Sequence, residues 1–297
     1  DGTAFAPSAG KVHFSGTDNN GGYIFESKFF NVDVTLASAG QDVAMSGIVG
    51  DLVTIGGDLT IIEGTLKRNS EAHDITVTGN VSIEDGGVFG DNDETGATSF
   101  GSLTIGDGGT YLATSGTTTC VGTYTGVAGA TYEHNDGLFH FSAGGDTAWG
   151  STVGPFYDLK ATGDNVEIRV AAMTVENNLT VDSGYIATDY PDAVWTFGKS
   201  TATTIAEGGS ITGTPSTPIR VNNTSSFTVQ GASIIYPCVI TGNDWTWDHG
   251  GTAAHTKFGN VDYQVSTLAL GTTTGVKLTL TGDCEFDAVT VAANTTL

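Results

Sequence analysis

The sequence predicts an all-β protein, specifically a parallel β-helix or β-solenoid, and two observations carry this prediction. The first is composition: of 297 residues, 43 are Gly, only 6 are Pro and 14% are charged. The segments between the glycines are rich in Thr, Val, Ile and Ser, which fit a pleated strand better than a helix. The second is a short repeat of 22–24 residues, a period typical of one β-coil per repeat.

The repeat consists of an apolar residue, Thr or Ser, then Ile or Val, followed by turn residues and another apolar or aromatic residue. Leu59, Val81 and Leu103 are spaced 22 residues apart. A second set, spaced 24 residues apart, is Leu179, Thr203 and Phe227. The best copies are DLTIIEGTL (58–66), NVSIEDGGVF (80–89), SLTIGDGGTYL (102–112), NLTVDSGYI (178–186), ATTIAEGGSI (202–211) and SFTVQGASI (226–234).

Alternation along each strand predicts which residues face inward. If the coils stack in register, Leu59, Val81 and Leu103 form an apolar ladder inside, and the Thr or Ser that follows each of them faces water. Glycine after each strand is expected to supply the positive-φ corner that turns the chain.

A longer repeat overlies the coils. Residues 5–34 align without a gap on residues 132–161, and a partial third copy lies within residues 236–263. We therefore expect one continuous β-solenoid over residues 1–297, with internal modules at approximately 1–128, 129–230 and 231–297.

The charge balance argues against two classes of partner. The chain has 10 Lys and Arg against 33 Asp and Glu, a formal net charge of −23. Such a surface repels phosphate backbones and anionic lipid, so neither nucleic-acid binding nor membrane insertion is expected. The three cysteines, Cys120, Cys238 and Cys284, are odd in number and far apart, so no disulfide framework is expected.

One candidate metal site is an acidic ladder. Glu63, Asp85 and Asp107 follow the repeat phrase at what the sequence suggests is one corner position. Stacking would place these carboxylates roughly 5 Å apart. That spacing suits calcium and also approaches the spacing in a retaining glycosidase. The alternative is that all three are solvated corner residues.

A second candidate calcium site is the loop GDNDETG (90–96). Asp91 and Asp93 have the first spacing of an EF-hand loop, and Gly96 falls where the turn glycine belongs. However, the twelfth position is Ser102 instead of Glu, and no helices are expected on either side. The alternative is an acidic surface loop.

Two histidines are equivalent under the longer repeat. His13 and His140 occupy the same place in GKVHFS and GLFHFS. Alternation with their apolar neighbours predicts that both imidazoles point outward, and the third copy has Val239 there instead. A surface strand position is therefore favoured over a metal or catalytic role.

Aromatic residues in less regular stretches are candidate contacts for a ligand or partner. They are Trp149, Trp195, Trp245, Trp247 and Tyr190. The segment WTWDHGG (245–251) interrupts the repeat, and insertions in solenoids often emerge as binding loops. Exposed rings stack on sugars and anchor interfaces. The alternative is that these rings fill irregular coils or cap the stack.

No motif for catalysis is present in the sequence. It contains no nucleophile elbow, phosphate loop, HExxH or paired CxxC. The three arginines, Arg68, Arg169 and Arg220, lie outside any recognisable acidic cluster, whereas polysaccharide lyases use basic groups to stabilise a charged intermediate. We therefore expect no enzymatic activity and no cofactor, with calcium as the one candidate ion.

Several phrases resemble known repetitive proteins. GATYEHNDGLFHFS (129–142), FYDLKATG (156–163) and ENNLTVDSG (176–184) are similar to β-solenoid segments of large bacterial surface proteins and of fibre or other structural proteins of environmental, often marine, bacteriophages. The resemblance implies the fold and an extracellular setting on a virion or cell surface, and it transfers no catalytic residues.

We accordingly expect a structural or adhesive role in a phage fibre, spike or virion structural protein. The alternatives are a bacterial surface adhesin or filament subunit, and a polysaccharide-binding or polysaccharide-cleaving spike. The expected partners are further copies of the chain, as a homotrimer or filament, other virion or surface proteins, and cell-surface polysaccharide.

Overall fold

The structure is a computed structural model. It describes residues 9–17, 22–24, 28–45, 52–68, 72–142, 145–150, 154–163, 166–170, 172–182, 184–187 and 194–197, and beyond residue 200 the strand segments alone. For residues 22–24 and 145–150, and from residue 184 onward with the exception of Ile186, the description covers the backbone only.

Within the described residues, every regular element is a β-strand, and the described pairings between strands are parallel. This confirms the predicted all-β parallel β-solenoid. The chain forms two compact units: unit 1 comprises Asp1–Ser142 and Ala148–Gly154, and unit 2 comprises Ala143–Thr147 and Pro155–Leu297. The three sequence modules remain a prediction.

The strands of unit 1 recur as sets of three, one set per coil. In chain order they are β1 (Lys11–Gly16), β2 (Gly22–Ile24), β3 (Lys28–Phe29), β4 (Asn31–Leu36), β5 (Asp42–Met45), β6 (Leu52–Ile55), β7 (Leu59–Arg68), β8 (Asp74–Ile83), β9 (Gly87–Phe89), β10 (Thr98–Ile105), β11 (Thr110–Leu112), β12 (Thr117–Cys120), β13 (Tyr124–Gly126), β14 (Thr131–Glu133), β15 (Leu138–Phe141) and the last residues of β16 (Gly145–Gly150).

These strands build three faces. Face 1 contains β1, β4, the start of β7, the ends of β8 and β10, then β13 and β16. Face 2 contains β2, β5, the end of β7, then β9, β11 and β14. Face 3 contains β3, β6, the starts of β8 and β10, then β12 and β15. The described strands of unit 1 thus complete six turns, spaced 20 to 27 residues apart on face 1.

The predicted apolar ladder is confirmed. Leu59 lies beside Val81, and Val81 lies beside Leu103. All three side chains are fully buried, whereas Thr60 beside Leu59 is half-buried. Inward-facing residues from the three faces therefore share one core, and each added coil buries another layer of apolar surface at about 25 cal/mol per Å².

Unit 2 repeats the same pattern of parallel ladders. Its strands are β17 (Asp158–Ala161), β18 (Val166–Arg169), β19 (Ala172–Val175), β20 (Leu179–Val181), β21 (Gly184–Ala187), β22 (Val194–Phe197), β23 (Thr203–Ile205), β24 (Gly209–Thr212), β25 (Ile219–Asn223), β26 (Phe227–Val229), β27 (Ile234–Ile235), β28 (Cys238–Gly242), β29 (Trp245–Trp247), β30 (Thr256–Phe258), β31 (Thr267–Leu270), β32 (Leu278–Leu280), β33 (Cys284–Phe286) and β34 (Ala288–Val291).

Three ladders of unit 2 are each formed by every third strand. They run β17–β20–β23–β26–β29–β32, β18–β21–β24–β27–β30–β33 and β19–β22–β25–β28, and β31 pairs with β34. Thr203 pairs with Phe227, and the neighbouring Thr180 pairs with Thr204. The predicted register of Leu179, Thr203 and Phe227 is therefore confirmed.

A polar side chain secures the corner between faces 3 and 1 of each coil. Asn31 Oδ1 accepts the backbone N–H of Asp58 at 2.8 Å, and Asp58 Oδ1 accepts the N–H of Asn80 at 2.8 Å. Further along the stack, Ser102 Oγ accepts the N–H of Thr123 at 3.2 Å. Each acceptor thereby satisfies a backbone donor of the following coil where the strand bends and the regular ladder is interrupted.

The same corner exists in unit 2. Asp158 Oδ1 accepts the N–H of Asn178 at 2.8 Å and the side-chain Nδ2–H of Asn177 at 2.9 Å. We call this arrangement, defined by Asn31, Asp58, Asn80, Ser102 and Thr123 in unit 1, the corner ladder. Its sequence mark is a polar residue directly before the apolar–Thr/Ser–Ile/Val phrase.

Glycine precedes the corner ladder in four coils because the chains approach closely there. A Cβ on Gly57 would lie 2.1 Å from Asn31 Oδ1, and one on Gly79 would lie 2.4 Å from Asp58 Oδ1 and 2.6 Å from the Gly57 carbonyl oxygen. The equivalent residues Gly101 and Gly122 meet backbone or hydroxyl oxygens at 2.6 to 2.7 Å. These contacts leave no room for a methyl group.

Replacing Gly79 with Ala should therefore destabilise the protein by about 1–3 kcal/mol, because the new methyl group collides with Asp58 and with the Gly57 backbone. Chemical denaturation followed by circular dichroism measures the change. Gly40→Ala is the matched control, since a Cβ at Gly40 meets nothing within 4 Å. Equal stability of the two variants would contradict the close-packed corner.

Candidate functional site

The acidic ladder is only partly assembled. Asp85 and Asp107 occupy the same place in stacked β-turns, in which Gly87 N donates to Glu84 O and Gly109 N donates to Gly106 O, both at 3.0 Å. Glu63 does not share that place, which corrects the sequence alignment of all three.

The reason is a one-residue difference in the length of the corner. β7 runs through this corner without a turn, and two residues separate Ile61 from Gly64, whereas three separate Ile83 from Gly87. Because Gly64 pairs with Gly87, Glu63 lies level with the turn glycine before Gly87 instead of with Asp85.

The two stacked carboxylates lie over the next coil. A Cβ on Gly108 would lie 2.1 Å from Asp85 Oδ1, and a Cβ on Gly129 would lie 1.9 Å from Asp107 Oδ1. Gly108 and Gly129 have φ of +74° and +85°, so both the conformation and the approaching carboxylate favour glycine. Across the described part of the chain, no three His, Cys, Asp or Glu side chains are grouped to hold a metal. The calcium site stays a prediction.

The GDNDETG loop divides its acidic residues between surface and core. Asp91 accepts the N–H of Asn92 at 2.8 Å and lies 3.6 Å from Lys67 Nζ, while Asp93 is exposed. Glu94 is different: it is only 2% exposed. The sequence analysis concentrated on Asp91 and Asp93 and missed Glu94.

Glu94 pairs with Arg68 inside unit 1. Its carboxylate accepts hydrogen bonds from the Arg68 guanidinium and, at 2.7 Å, from the Arg68 backbone N–H. The guanidinium also donates to the carbonyl oxygen of His73 at 2.6 Å, to that of Ala97 at 3.1 Å and to Thr98 Oγ1 at 2.5 Å. We call this group the Arg68 cluster.

The expectation that no arginine lies near an acidic group is therefore wrong for Arg68. It is also wrong for Arg169, whose Nη2 lies 2.7 Å from Glu167 Oε2. The sequence contains one signal for the Arg68 cluster: alternation with buried Leu66 places Arg68 on the inward side of β7.

Burial dominates the electrostatics of the cluster. Desolvation raises the pKa of Glu94, while the positive charge of Arg68 and its hydrogen bonds act in the opposite direction. The side chains of Arg68 and Glu94 are 2% and 3% exposed, so a polymeric substrate cannot reach them in this conformation. The cluster ties the segments around His73 and Ala97 to the end of β7.

The neighbouring core is aromatic and equally closed. Tyr111 packs between Phe89 and Tyr132, with ring centroids 5.5 and 5.9 Å away. Its hydroxyl lies 3.0 Å from Thr118 Oγ1, and burial raises the pKa of Tyr111 to about 12. Burial likewise raises the pKa of the free thiol of Cys120 to about 12. Neither group is poised to ionise near neutral pH.

The two repeat-related histidines lie on different faces of unit 1. His13 is exposed on face 1 beside Asp33, and His140 is half-buried on face 3 beside Thr119. Buried Phe139 and Phe141 flank His140, which confirms that it occupies an outward strand position. The 127-residue offset is not a whole number of coils, so the repeat does not superpose the two imidazoles.

The tryptophans lie on strands whose backbone alone is described. Trp149 pairs with Thr125, and Trp195 pairs with Met173. Trp245 and Trp247 are in β29, within a regular parallel ladder beside β32, so these two residues continue the repeat where an interruption was expected. Tyr190 lies outside the described residues. Ligand contact by these rings stays a prediction.

Comparisons with known proteins return no similarity: no family model matches the chain, and no curated protein or solved structure matches it significantly. Within the described residues, no helix has the length and hydropathy needed to cross a bilayer.

Replacing Arg68 with Met should destabilise the protein by about 3–5 kcal/mol at neutral pH, because it leaves the buried Glu94 carboxylate unpaired. Arg169→Met is the control and should cost about 1 kcal/mol or less, since the Arg169–Glu167 pair is partly exposed. Urea unfolding monitored by tryptophan fluorescence measures both changes.

The pH dependence of the Arg68→Met variant gives a second readout. Without Arg68, the folded-state pKa of Glu94 rises further above its unfolded value, so the folded variant binds a proton before the unfolded chain does. The destabilisation should therefore shrink as pH falls from 7 toward 4.5. A pH-independent difference would contradict a charged Glu94 in the core.

Proposed function

We propose that this chain is a non-enzymatic structural or adhesive segment of an extracellular assembly, most specifically a bacteriophage fibre, spike or other virion structural protein. The observation that carries the proposal is the use of polar groups in unit 1. The corner ladder and the Arg68 cluster both connect one coil to another, which is what a load-bearing or protease-resistant stack requires.

The interior supports the same role. Large side chains such as Phe89, Phe100 and Tyr111 are fully buried and pack on one another. Stacked coils exchange backbone hydrogen bonds with their neighbours, so local opening must break several parallel ladders at once. Stability of this kind suits a protein exposed to proteases and changing solvent.

The surface supports a role outside nucleic-acid or lipid binding. A formal net charge of −23 favours solubility and disfavours polyanionic partners. The partners we propose are further copies of the chain, other virion or surface proteins, and cell-surface polysaccharide. The resemblance of the repeat phrases to phage and bacterial surface solenoids points in the same direction.

The location of the protein tests the proposal. An antibody against the full chain should detect it in purified phage particles, at a constant ratio to the major capsid protein. Detection on intact bacterial surfaces without particles would favour a surface adhesin instead. Confinement to the cytoplasm would refute both. Incubation with host polysaccharide followed by size analysis should show no shortening; shortening would refute the non-enzymatic assignment.

Native proteolysis tests the mechanical part of the proposal. Trypsin should cut slowly after Lys67, because this residue lies within β7 and pairs with Ala44 of β5. The Gly79→Ala variant should be cut faster at the same bond, as its coils open more often. Peptide mapping over time measures the rate. Rapid cutting after Lys67 in the unaltered protein would contradict a tightly stacked unit 1.

A further inference from the structure

Face 1 of unit 1 displays two columns of small polar side chains over four successive coils. The outer column is Thr60, Ser82, Thr104 and Thr125, which are paired neighbours on consecutive strands. The second column lies two residues earlier in each strand and consists of Asp58, Asn80, Ser102 and Thr123. All eight side chains are exposed or half-buried. We call this two-by-four array the polar lattice.

The spacing of the polar lattice follows from the fold. Neighbouring parallel strands lie about 4.8 Å apart, and residues two apart along a strand are separated by roughly 6.6 Å. The backbone beneath is held by fully buried Leu59, Val81, Leu103 and Tyr124. Asp58 and Ser102 are further held by the corner ladder. The hydroxyl, amide and carboxyl oxygens therefore repeat in two directions on a fixed support.

The chemistry of the polar lattice selects a particular class of ligand. Within these four coils, no aromatic ring occupies an outward position of the two columns, so the stacking surface that sugars use is absent. Asp58 is the one charged residue of the lattice, and its Oδ1 already accepts a hydrogen bond. Glu84, Asp85 and Asp107 lie outside the columns, although Ser82 Oγ donates to Glu84 Oε1 at 2.9 Å.

An array of hydrogen-bonding oxygens at fixed spacing holds water molecules at the same spacing. Immobilising each water costs entropy, and that cost is not recovered in liquid water. It has already been met where the waters belong to a crystal whose oxygen repeats are close to those of the array, as in ice. We propose that the polar lattice is an ice-binding surface, an activity separate from the extracellular role proposed above.

The test uses the full chain and ice itself as the probe. The unaltered protein should produce thermal hysteresis and shape single ice crystals, and a fluorescently labelled sample should coat defined planes of an ice hemisphere. Thr104→Lys places a long charged side chain in the centre of the lattice and should abolish these effects. Thr110→Lys, on the outward side of face 2 between Val88 and Thr131, is the matched control and should retain them.

Circular dichroism and melting curves confirm that both variants fold, and Thr104→Val removes the hydroxyl with little change in shape and should weaken the hysteresis. Absence of ice shaping by the unaltered protein would overturn the proposal. Equal loss in Thr104→Lys and Thr110→Lys would overturn the assignment to face 1. Retention on microcrystalline cellulose without any effect on ice would overturn it in favour of a polysaccharide ligand.

Discussion

The constraint on which this structure depends is the register between one coil and the next. Every backbone N–H and C=O on the three faces of unit 1 is paired with the coil above or below it, so a slip of one residue would expose the core side chains and misplace the partners. The register is hardest to keep where strands bend. There, glycine allows close approach and a short polar side chain accepts the next coil's amide.

The two kinds of polar contact in unit 1 serve the same constraint at different corners. The corner ladder acts between faces 3 and 1, near the surface, once per coil. The Arg68 cluster acts inside, where the chain passes from face 2 to face 3, and joins residues 26 positions apart. Buried ion pairs often contribute little net stability but penalise alternative pairings. Such a contact would specify which coil follows which in a stack of similar units.

The fold could be predicted because the stacking repeat is visible in the chain. Leu59, Val81 and Leu103 lie where the 22-residue period places them, and Gly64, Gly86 and Gly108 adopt the positive φ expected at the corners. Thr and Ser beside the apolar positions face outward, as alternation requires.

The errors arose where a single residue or a long-range contact decides the outcome. Alignment of phrases cannot show that β7 passes its corner with one residue fewer, so Glu63 was placed beside Asp85. The Arg68 cluster lies between copies of the repeat phrase, where no periodic signal exists, and only the parity of Arg68 with Leu66 indicated that it faces inward. The corner ladder was overlooked because its residue type varies among Asn, Asp, Ser and Thr.

The most direct test of the account is a pair of double-cysteine variants on face 1. In Thr60→Cys with Ser82→Cys, the two residues lie on adjacent coils with Cα atoms about 4.8 Å apart, within reach of a disulfide. In Thr60→Cys with Thr104→Cys they are two coils apart, about 9.6 Å, which is beyond that reach. Mild oxidation followed by peptide mapping should find the first disulfide and not the second. Failure of the first pair to cross-link, or cross-linking of the second within a monomer, would contradict the in-register stack.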